Sequence, residues 1–409
     1  MLSRMEHDSI GALNVPAEAY YGVQSMRAAT NFQITHRPLH PVLIDSIVMV
    51  KKAAAITNEK SGKLDQQIAQ AIIQACDEIL NGNLRDQFIV DAIQGGAGTS
   101  ANMNANEVIA NRAIEILGGT KGDYSIVHPN DHVNMSQSTN DVIPTAGKIT
   151  VLKLLPQTIK ELEKLEKAME EKEAEFDDIL KMGRTQLQDA VPMRLGQSFG
   201  AFAHVLKRDI KRLKNVMDEM KVLNIGATAI GTAINVAPYY LANISYELSK
   251  VAGISLKQAD DLIDATQNLD GFVSVSGVLK TCAVNISKIS NDLRLMSSGP
   301  RTGLSEINLP ARQNGSSIMP GKINPVIPEV VSQVAYLIIG HDYTITMAAE
   351  AGQCEEYIEK SVGISTALCP YIGYAKSAEI AKKSLKTGIS VKELVLEEGL
   401  LKEEELKEI

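Results

Sequence analysis

Tryptophan is absent from the chain, and aromatic residues make up only 4% of it. A core without large rings must be filled by Ala, Leu, Ile, Val and Met, the filling of closely packed helices. The four cysteines, Cys76, Cys282, Cys354 and Cys369, are scattered and form no C-x-x-C pair. That argues against a disulfide scaffold or a zinc site and fits a reducing compartment. No basic block stands out in a chain of net charge −8, so nucleic acid is not the expected partner. An anionic small substrate would need a local positive site against that background. Apolar runs such as "VAYLII" (334–339) are too short to span a bilayer. The opening "MLSRMEHDSIG" lacks the apolar region of a secretory signal. Neither a fixed-period repeat nor a low-complexity segment is found. The expectation is a cytoplasmic globular protein with no membrane partner.

What the sequence does hold is helical periodicity. Its 409 residues suffice for two or three domains. Helices are expected near 41–59, opened by Pro41, and near 64–81. From Thr139 onward the pattern is long helices. Ile159, Leu162, Leu165 and Met169 form one stripe, and Phe202, Leu206, Ile210, Leu213, Met217 and Met220 form another. A proline-free segment at 257–298 reads as one long buried helix, and Pro328 opens an apolar one. The tail from 355 reads as short helices. The fold class is therefore mainly α. The expected division is 1–138 as an N-terminal, mainly helical domain, 139–353 as a central helical bundle, and 354–409 as a small C-terminal domain.

Four patches interrupt this pattern: "GGAGTSANMNANE" (95–107), "HPNDHVNMSQSTND" (128–141), "GRTQLQDAVP" (183–192) and "GSSIMPGKINP" (315–325). They read as loops rich in Ser, Thr, Asn and Gly and poor in charge, suited to hydrogen-bonding the oxygens of a small dicarboxylate. Each has a plain alternative. "GGAGTS" serves equally as a turn and cap, "STND" is more simply an N-cap, and the other two could be ordinary surface loops. "GSSIMPGK" lacks the spacing of a phosphate-binding loop. Four such patches in one helical chain are hard to explain as caps alone.

The last patch resembles the signature loop of the fumarase/aspartase superfamily, "GSSxMPxKxNP", and the other three match that superfamily's remaining active-site regions in the same order. The likeness runs from "YYGVQSMRA" (20–28) through "MAAEAGQ" (347–353) and resumes in the tail. "YYGVQ", "GTSANMN", "QSTND" and "GRTQLQDAVPM" resemble the wording of aspartate ammonia-lyases more than that of fumarases. The resemblance implies a fumarase/aspartase-type three-domain fold with a central bundle of long helices. It also implies a homotetramer in which three subunits share each active site, and reversible deamination of L-aspartate to fumarate and ammonia.

By the same resemblance Ser316 is the base that removes the Cβ proton, giving a carbanion delocalised into the neighbouring carboxylate as an aci-form. Lys322 and Asn324 would hold a substrate carboxylate. Thr99, Ser138, Thr139 and Asn140 would hold the remaining oxygens and the amino group, and Thr185 and Gln186 the β-carboxylate. Serine needs stabilisation of its oxyanion to act as a base, and loop N–H groups with Lys322 could supply it. Gln186 stands where fumarases and some aspartases carry histidine. It can donate a hydrogen bond but cannot shuttle a proton. His128, with Asn130 and Asp131, resembles a second, non-catalytic anion site of fumarases, and equally reads as a satisfied loop histidine. No resident cofactor is implied. Mg²⁺ stimulation is a property of aspartases, and the sequence offers no ligands for it.

The chain departs from the family after Gln353, where "MAAEAGQ" runs straight into "CEEYIEKSVGISTALCPYIGY". Several dozen residues, forming the fifth bundle helix, have no counterpart. Three readings stand: the segment belongs to the protein but not to the sequence read, the protein lacks it, or the flanks are wrongly matched. Two other functions compete with deamination: class II fumarate hydration, and a non-enzymatic role on a lyase scaffold, as in lens crystallins.

Overall fold

Helix caps and tight turns divide the chain where the sequence supplies them, in a computed structural model that describes residues 2–351, 369–387, 389, 391–402 and 405. Strands β1 (Ser3–His7) and β2 (Ala12–Pro16) form an antiparallel hairpin. Helices α1 (Val23–Asn31), α2 (Pro41–Lys60), α3 (Gln66–Leu80) and α4 (Thr99–Ile116) follow. The long α5 (Thr139–Glu175) leads into an antiparallel hairpin of β3 (Leu180–Thr185) and β4 (Gln188–Arg194), then α6 (Leu195–Met220). Next come β5 (Val222–Leu223), α7 (Pro238–Ala252) and β6 (Lys257–Gln258), with β5 and β6 paired in parallel. Helices α8 (Leu262–Gln267), α9 (Asp270–Met296), α10 (Val326–Ala351), α11 (Cys369–Thr387) and α12 (Val391–Glu397) complete the described chain.

The chain divides into two compact units: the described residues of 1–150, 221–268 and 352–409, and residues 151–220 with 269–351. In the first, α2 packs on α3 and α7, and α3 on α4. Pro41 begins α2 as the sequence suggests, and the Asp65 carboxylate, which accepts the Gln67 and Ile68 N–H groups, caps α3. Helix α4 is buried on nearly every side, including Asn102, Asn104, Asn106, Glu107 and Asn111. Burying such groups is tolerated only when they are hydrogen-bonded. Asn104 accepts from Ile89 N at 2.9 Å and donates to Gln87 O at 3.0 Å. Asn111 accepts from Gly122 N at 2.7 Å and donates to Tyr20 O at 2.8 Å. Glu107 accepts the N–H groups of Gly22, Gln24 and Ser25 and so caps α1. Burial pushes the Glu107 carboxyl up to about 7, against the pull of those donors. In the same unit, α11 and α12 close over Ile380, Val391, Leu394 and Val395.

In the second unit α9 packs on both α6 and α10. The α6 stripe is buried at Phe202, Leu206, Ile210, Leu213 and Met220, with Val216 added. Helix α9 is the one described helix long and apolar enough to cross a membrane. Reading unbroken apolar runs misses it, because its small polar residues average out over a window. Those residues are spent on its neighbours. Ser276 and Lys280 donate to Asp342 of α10 at 2.8 and 2.6 Å, and Asn285 donates to Asp209 of α6 at 2.9 Å. Such pairings belong to a bundle helix.

Three sequence expectations are corrected. The patch at 95–107 is a loop only to Gly98, and α4 takes the rest. The patch at 183–192 is a β-hairpin. The stretch 257–298 is not one helix: Asp261 caps α8 by accepting the Ile263 and Asp264 N–H groups, and Asn268 leaves α8 in extended backbone (φ −106°, ψ 134°) before α9 begins. The Gln353–Cys354 junction lies outside the described residues.

Candidate active site

The "GSSIMPGKIN" segment closes on itself. Asn314 and Ile323 form an antiparallel bridge, and Gly315 N donates to Lys322 O at 2.8 Å. Lys322 N donates to Met319 O at 3.3 Å, closing a turn whose corners are Pro320 and Gly321, the latter at φ +79°. That is a type II turn, with proline presetting the first corner and glycine taking the left-handed second. Within this frame Ser316 Oγ accepts the N–H groups of Ile318 at 3.2 Å and Met319 at 3.1 Å. Asn324 Nδ2 donates to Gly315 O at 3.2 Å. A Cβ on Gly315 would sit 2.7 Å from Asn324 Oδ1, so the close approach requires glycine. Ser316 and Asn324 are half-buried, while Ser317 and Lys322 are exposed.

Thr185 and Gln186 lie at the tip of the β3–β4 hairpin in the same unit. Thr185 pairs with Gln188, leaving a two-residue loop in which Gln186 and Leu187 are both left-handed, at φ 52° and 63°. This geometry favours Asn-Gly, and a Gln-Leu pair holds it only under strain. The hairpin is pinned from its stem. Arg184 Nη1 donates to Glu306 Oε1 at 2.7 Å, and Lys181 Nζ lies 3.0 Å from Glu306 Oε2. Burial opposes ionisation of Glu306, but Arg184 and Lys181 outweigh it and hold the carboxyl below its usual range.

The first unit carries the other four predicted residues. Thr99 opens α4 behind Gly98, which is left-handed and brings no side-chain cap. Its hydroxyl donates to Gly96 O at 2.7 Å. Ser138 caps α5 reciprocally: its Oγ accepts Asn140 N at 3.3 Å, and its own N–H donates to Asp141 Oδ1 at 2.9 Å. Thr139 Oγ1 accepts from Asn102 Nδ2 at 3.4 Å. Asn140 Nδ2 donates to Ala229 O at 2.7 Å, so its amide oxygen faces the other way.

Beneath these residues runs a buried polar layer. Lys51 Nζ donates to Asn134 Oδ1 at 2.8 Å and to Gln137 Oε1 at 3.0 Å, and burial pulls its ammonium down to about 7 despite the Asp141 charge. Asp141 Oδ2 accepts Gly226 N at 3.0 Å and Thr228 N at 3.1 Å, and burial pushes its carboxyl up to about 6 against those donors. His128 Nδ1 accepts the N–H groups of Asn130 at 3.3 Å and Asp131 at 3.1 Å, while Asp131 Oδ1 accepts Tyr374 N at 3.1 Å. His128 thus caps a π-turn over Pro129–Val133 through Nδ1. Sequence reasoning passed over Asp141, Glu306 and "NIGATAIGTAIN" (224–235). The signal in the last was available: two glycines among small residues, ahead of a helix-opening Pro238.

Residues 11–340 match a family profile described as Lyase, and residues 364–409 one described as Fumarase C C-terminus. An aspartate ammonia-lyase from Bacillus sp. is 50% identical over 448 aligned positions, covering 99% of this chain and 96% of its own. Because this chain has 409 residues, at least 39 of those positions have no residue here. A solved structure titled fumarate lyase:delta crystallin, from Brucella melitensis, is 47% identical with a TM-score of 0.84, over 99% of this chain and 97% of that one. A recombinant class II fumarase from Schistosoma mansoni is 32% identical with a TM-score of 0.81, over 100% of this chain and 98% of that one. The chain therefore belongs to the fumarase/aspartase superfamily of lyases.

Proposed function

We propose that the chain is an aspartate ammonia-lyase, converting L-aspartate reversibly to fumarate and ammonia. The observation that carries this reading is the Ser316 cradle. Two backbone N–H groups converge on one serine oxygen, as stabilisation of a negative oxygen requires. In the ionised state Ser316 takes the Cβ proton. The electron pair passes into the β-carboxylate, which becomes the doubly negative aci-form. Collapse of that form expels the amine as neutral ammonia, and the proton on Ser316 returns to solvent. Thr185 and Gln186 hold the carboxylate on which charge accumulates, and Lys322 and Asn324 bind a carboxylate. Thr99, Ser138, Thr139 and Asn140 hold the remaining oxygens and the amino group.

The choice of aspartate over malate rests on polarity. An ammonium has three donors and no acceptor, so it needs oxygens facing it. The Asn140 amide, whose nitrogen is committed to Ala229 O, presents one. A leaving hydroxyl needs a delivered proton, which Gln186 cannot provide. The 50% identity to a named aspartate ammonia-lyase, against 32% to a named fumarase, supports the same choice. Following fumarate absorbance with L-aspartate and with L-malate tests it. Aspartate is consumed and malate is not; faster turnover of malate would sink the assignment.

The same reading implies a homotetramer in the cytoplasm with each site shared among subunits. Sedimentation should show a tetramer, and a fully active monomer would refute sharing. Among the described residues no group of three or more His, Cys, Asp or Glu side chains is placed to hold a metal, and no step above is routed through an ion.

A further inference from the structure

The amide of Asn140 is not free to choose its orientation. Ala229 O is an acceptor, so only the nitrogen end of the amide can meet it, at 2.7 Å. Ala229 is itself held. Its loop crosses left-handed backbone at Gly226 (φ 90°) and at Thr228 (φ 59°), and the second is costly for a β-branched residue. What holds that shape is the buried Asp141 carboxylate, accepting Gly226 N at 3.0 Å and Thr228 N at 3.1 Å through one oxygen. Its other oxygen accepts Ser138 N at 2.9 Å, one residue before Thr139. Asn224 fixes the main chain from the far side, its Nδ2 donating to Asn140 O at 3.0 Å and to Thr266 Oγ1 at 3.2 Å. Apart from the Ser138 hydroxyl, which accepts Asn140 N, the side-chain tethers on Asn140 lead to Asn224 and to the 226–229 loop that Asp141 holds.

We propose that Asp141 and Asn224 are positioning residues for amine recognition, holding the 226–229 loop so that Asn140 must present its oxygen, and not its nitrogen, to a substrate ammonium. This rests on the proposed deamination and adds what sets the polarity of the amine site. Asparagine at 141 keeps the shape but replaces one acceptor oxygen with a donor, which cannot face N–H groups. In Asp141→Asn either the loop N–H groups or Ser138 N loses its acceptor, which loosens the frame around Asn140 and lets its amide turn. The groups facing Asp141 are Lys51 on α2 and Tyr240 on α7, both fully buried; neither variant below removes them.

The test compares two ligands that share both carboxylates and differ in the amine. L-aspartate and fumarate are titrated calorimetrically into Ser316→Ala protein, where aspartate is not consumed, and into the same protein carrying Asp141→Asn or Asn224→Ala. Aspartate affinity is expected to fall about tenfold in each, which is about 1.4 kcal/mol, with fumarate affinity changed less than about twofold. Equal weakening for both ligands would make the role merely structural and overturn the proposal; so would unchanged aspartate affinity. If Asp141→Asn does not fold, Asn224→Ala carries the comparison alone. A parent protein that binds neither ligand removes the deaminase reading and this inference together. A parent that binds both, with variants that fail to discriminate, removes only the inference.

Discussion

Replacing Ser316 by alanine separates chemistry from folding. The hydroxyl does two jobs: it accepts the Ile318 and Met319 N–H groups, and in the proposed mechanism it takes the Cβ proton. The first job is cheap to lose. Ile318 is 85% exposed and Met319 48%, so water can take over both donors, and stability should fall by under about 1 kcal/mol. The second is not replaceable. Removing a general base costs about 10²–10⁴-fold in rate, and a loss of about 10³-fold corresponds to about 4 kcal/mol of barrier. Initial rates of fumarate formation, exchange of the aspartate Cβ hydrogen in deuterium oxide, and thermal melting should be measured together. Rate and exchange should collapse while the melting temperature barely moves. Ser317→Ala is the control, because Ser317 is exposed and its hydroxyl is not the one that accepts the Ile318 and Met319 N–H groups. More than about a tenth of wild-type turnover in Ser316→Ala, or a larger loss in Ser317→Ala, would remove Ser316 from the mechanism.

Lys322→Ala should raise the aspartate KM and weaken fumarate inhibition alike, since it removes the proposed carboxylate partner; a change confined to kcat would contradict that role. Leu187→Gly should stabilise the β3–β4 hairpin by about 1 kcal/mol, because glycine adopts its φ of 63° without strain, and a lower melting temperature would show the strain argument wrong. Glu306→Gln should weaken the hold on Arg184 and Lys181, costing about 1–3 kcal/mol and lowering kcat through the hairpin tip; unchanged stability by denaturant titration would mean the ion pairs are not tethers. Burial opposes ionisation of Asp91, but the Ile93, Thr35 and His36 donors win and hold its carboxyl at about 2 against an ordinary 3.8. A depressed folded-state value stabilises above the unfolded one, so this contribution is lost as pH falls from about 4 to about 2. Acid melting curves of wild type and Asp91→Asn should converge over that window, and parallel curves would refute it.

Helices were legible because their signals are local. The α6 stripe and Pro41 each act within one or two turns, as does the Asp65 cap, which the sequence reading did not single out. The "MPGK" turn was read only as part of a loop, although its signal is local too: proline at the first corner and glycine at the second favour type II. Reading 183–192 as a loop failed because Gln-Leu is a poor signal for a two-residue hairpin, and the left-handed pair is imposed by strand pairing on both sides. The start of α4 was hidden because a helix buried on every side has no apolar stripe, and its asparagines look like loop residues until their partners at Tyr20, Gln87 and Ile89 are seen. Ser138, Thr139 and Asn140 could be picked out, but not Asp141, whose loop partners Gly226 and Thr228 lie more than eighty residues away.

The predicted site residues share a property that bears on how the proposed chemistry could work. In the isolated chain Thr99, Asn140, Thr185, Gln186 and Lys322 are all exposed. Stabilising a doubly negative carboxylate with neutral donors is weak in water and strong only where water is excluded. Helix α10, which begins where the Ser316 loop ends, leaves Ile327, Val330, Val334, Tyr336, Leu337 and Tyr343 exposed. A row of that size is unusual on a surface that stays bare. If the proposed tetramer covers this face and the site together, catalysis depends on assembly through the exclusion of solvent rather than through any single contact. The 39 or more aligned positions that this chain lacks bear on the same point. If the protein lacks them and they form the fifth bundle helix, as the family resemblance implies, each copy brings less apolar surface to the assembly, and the site's donors stay closer to water.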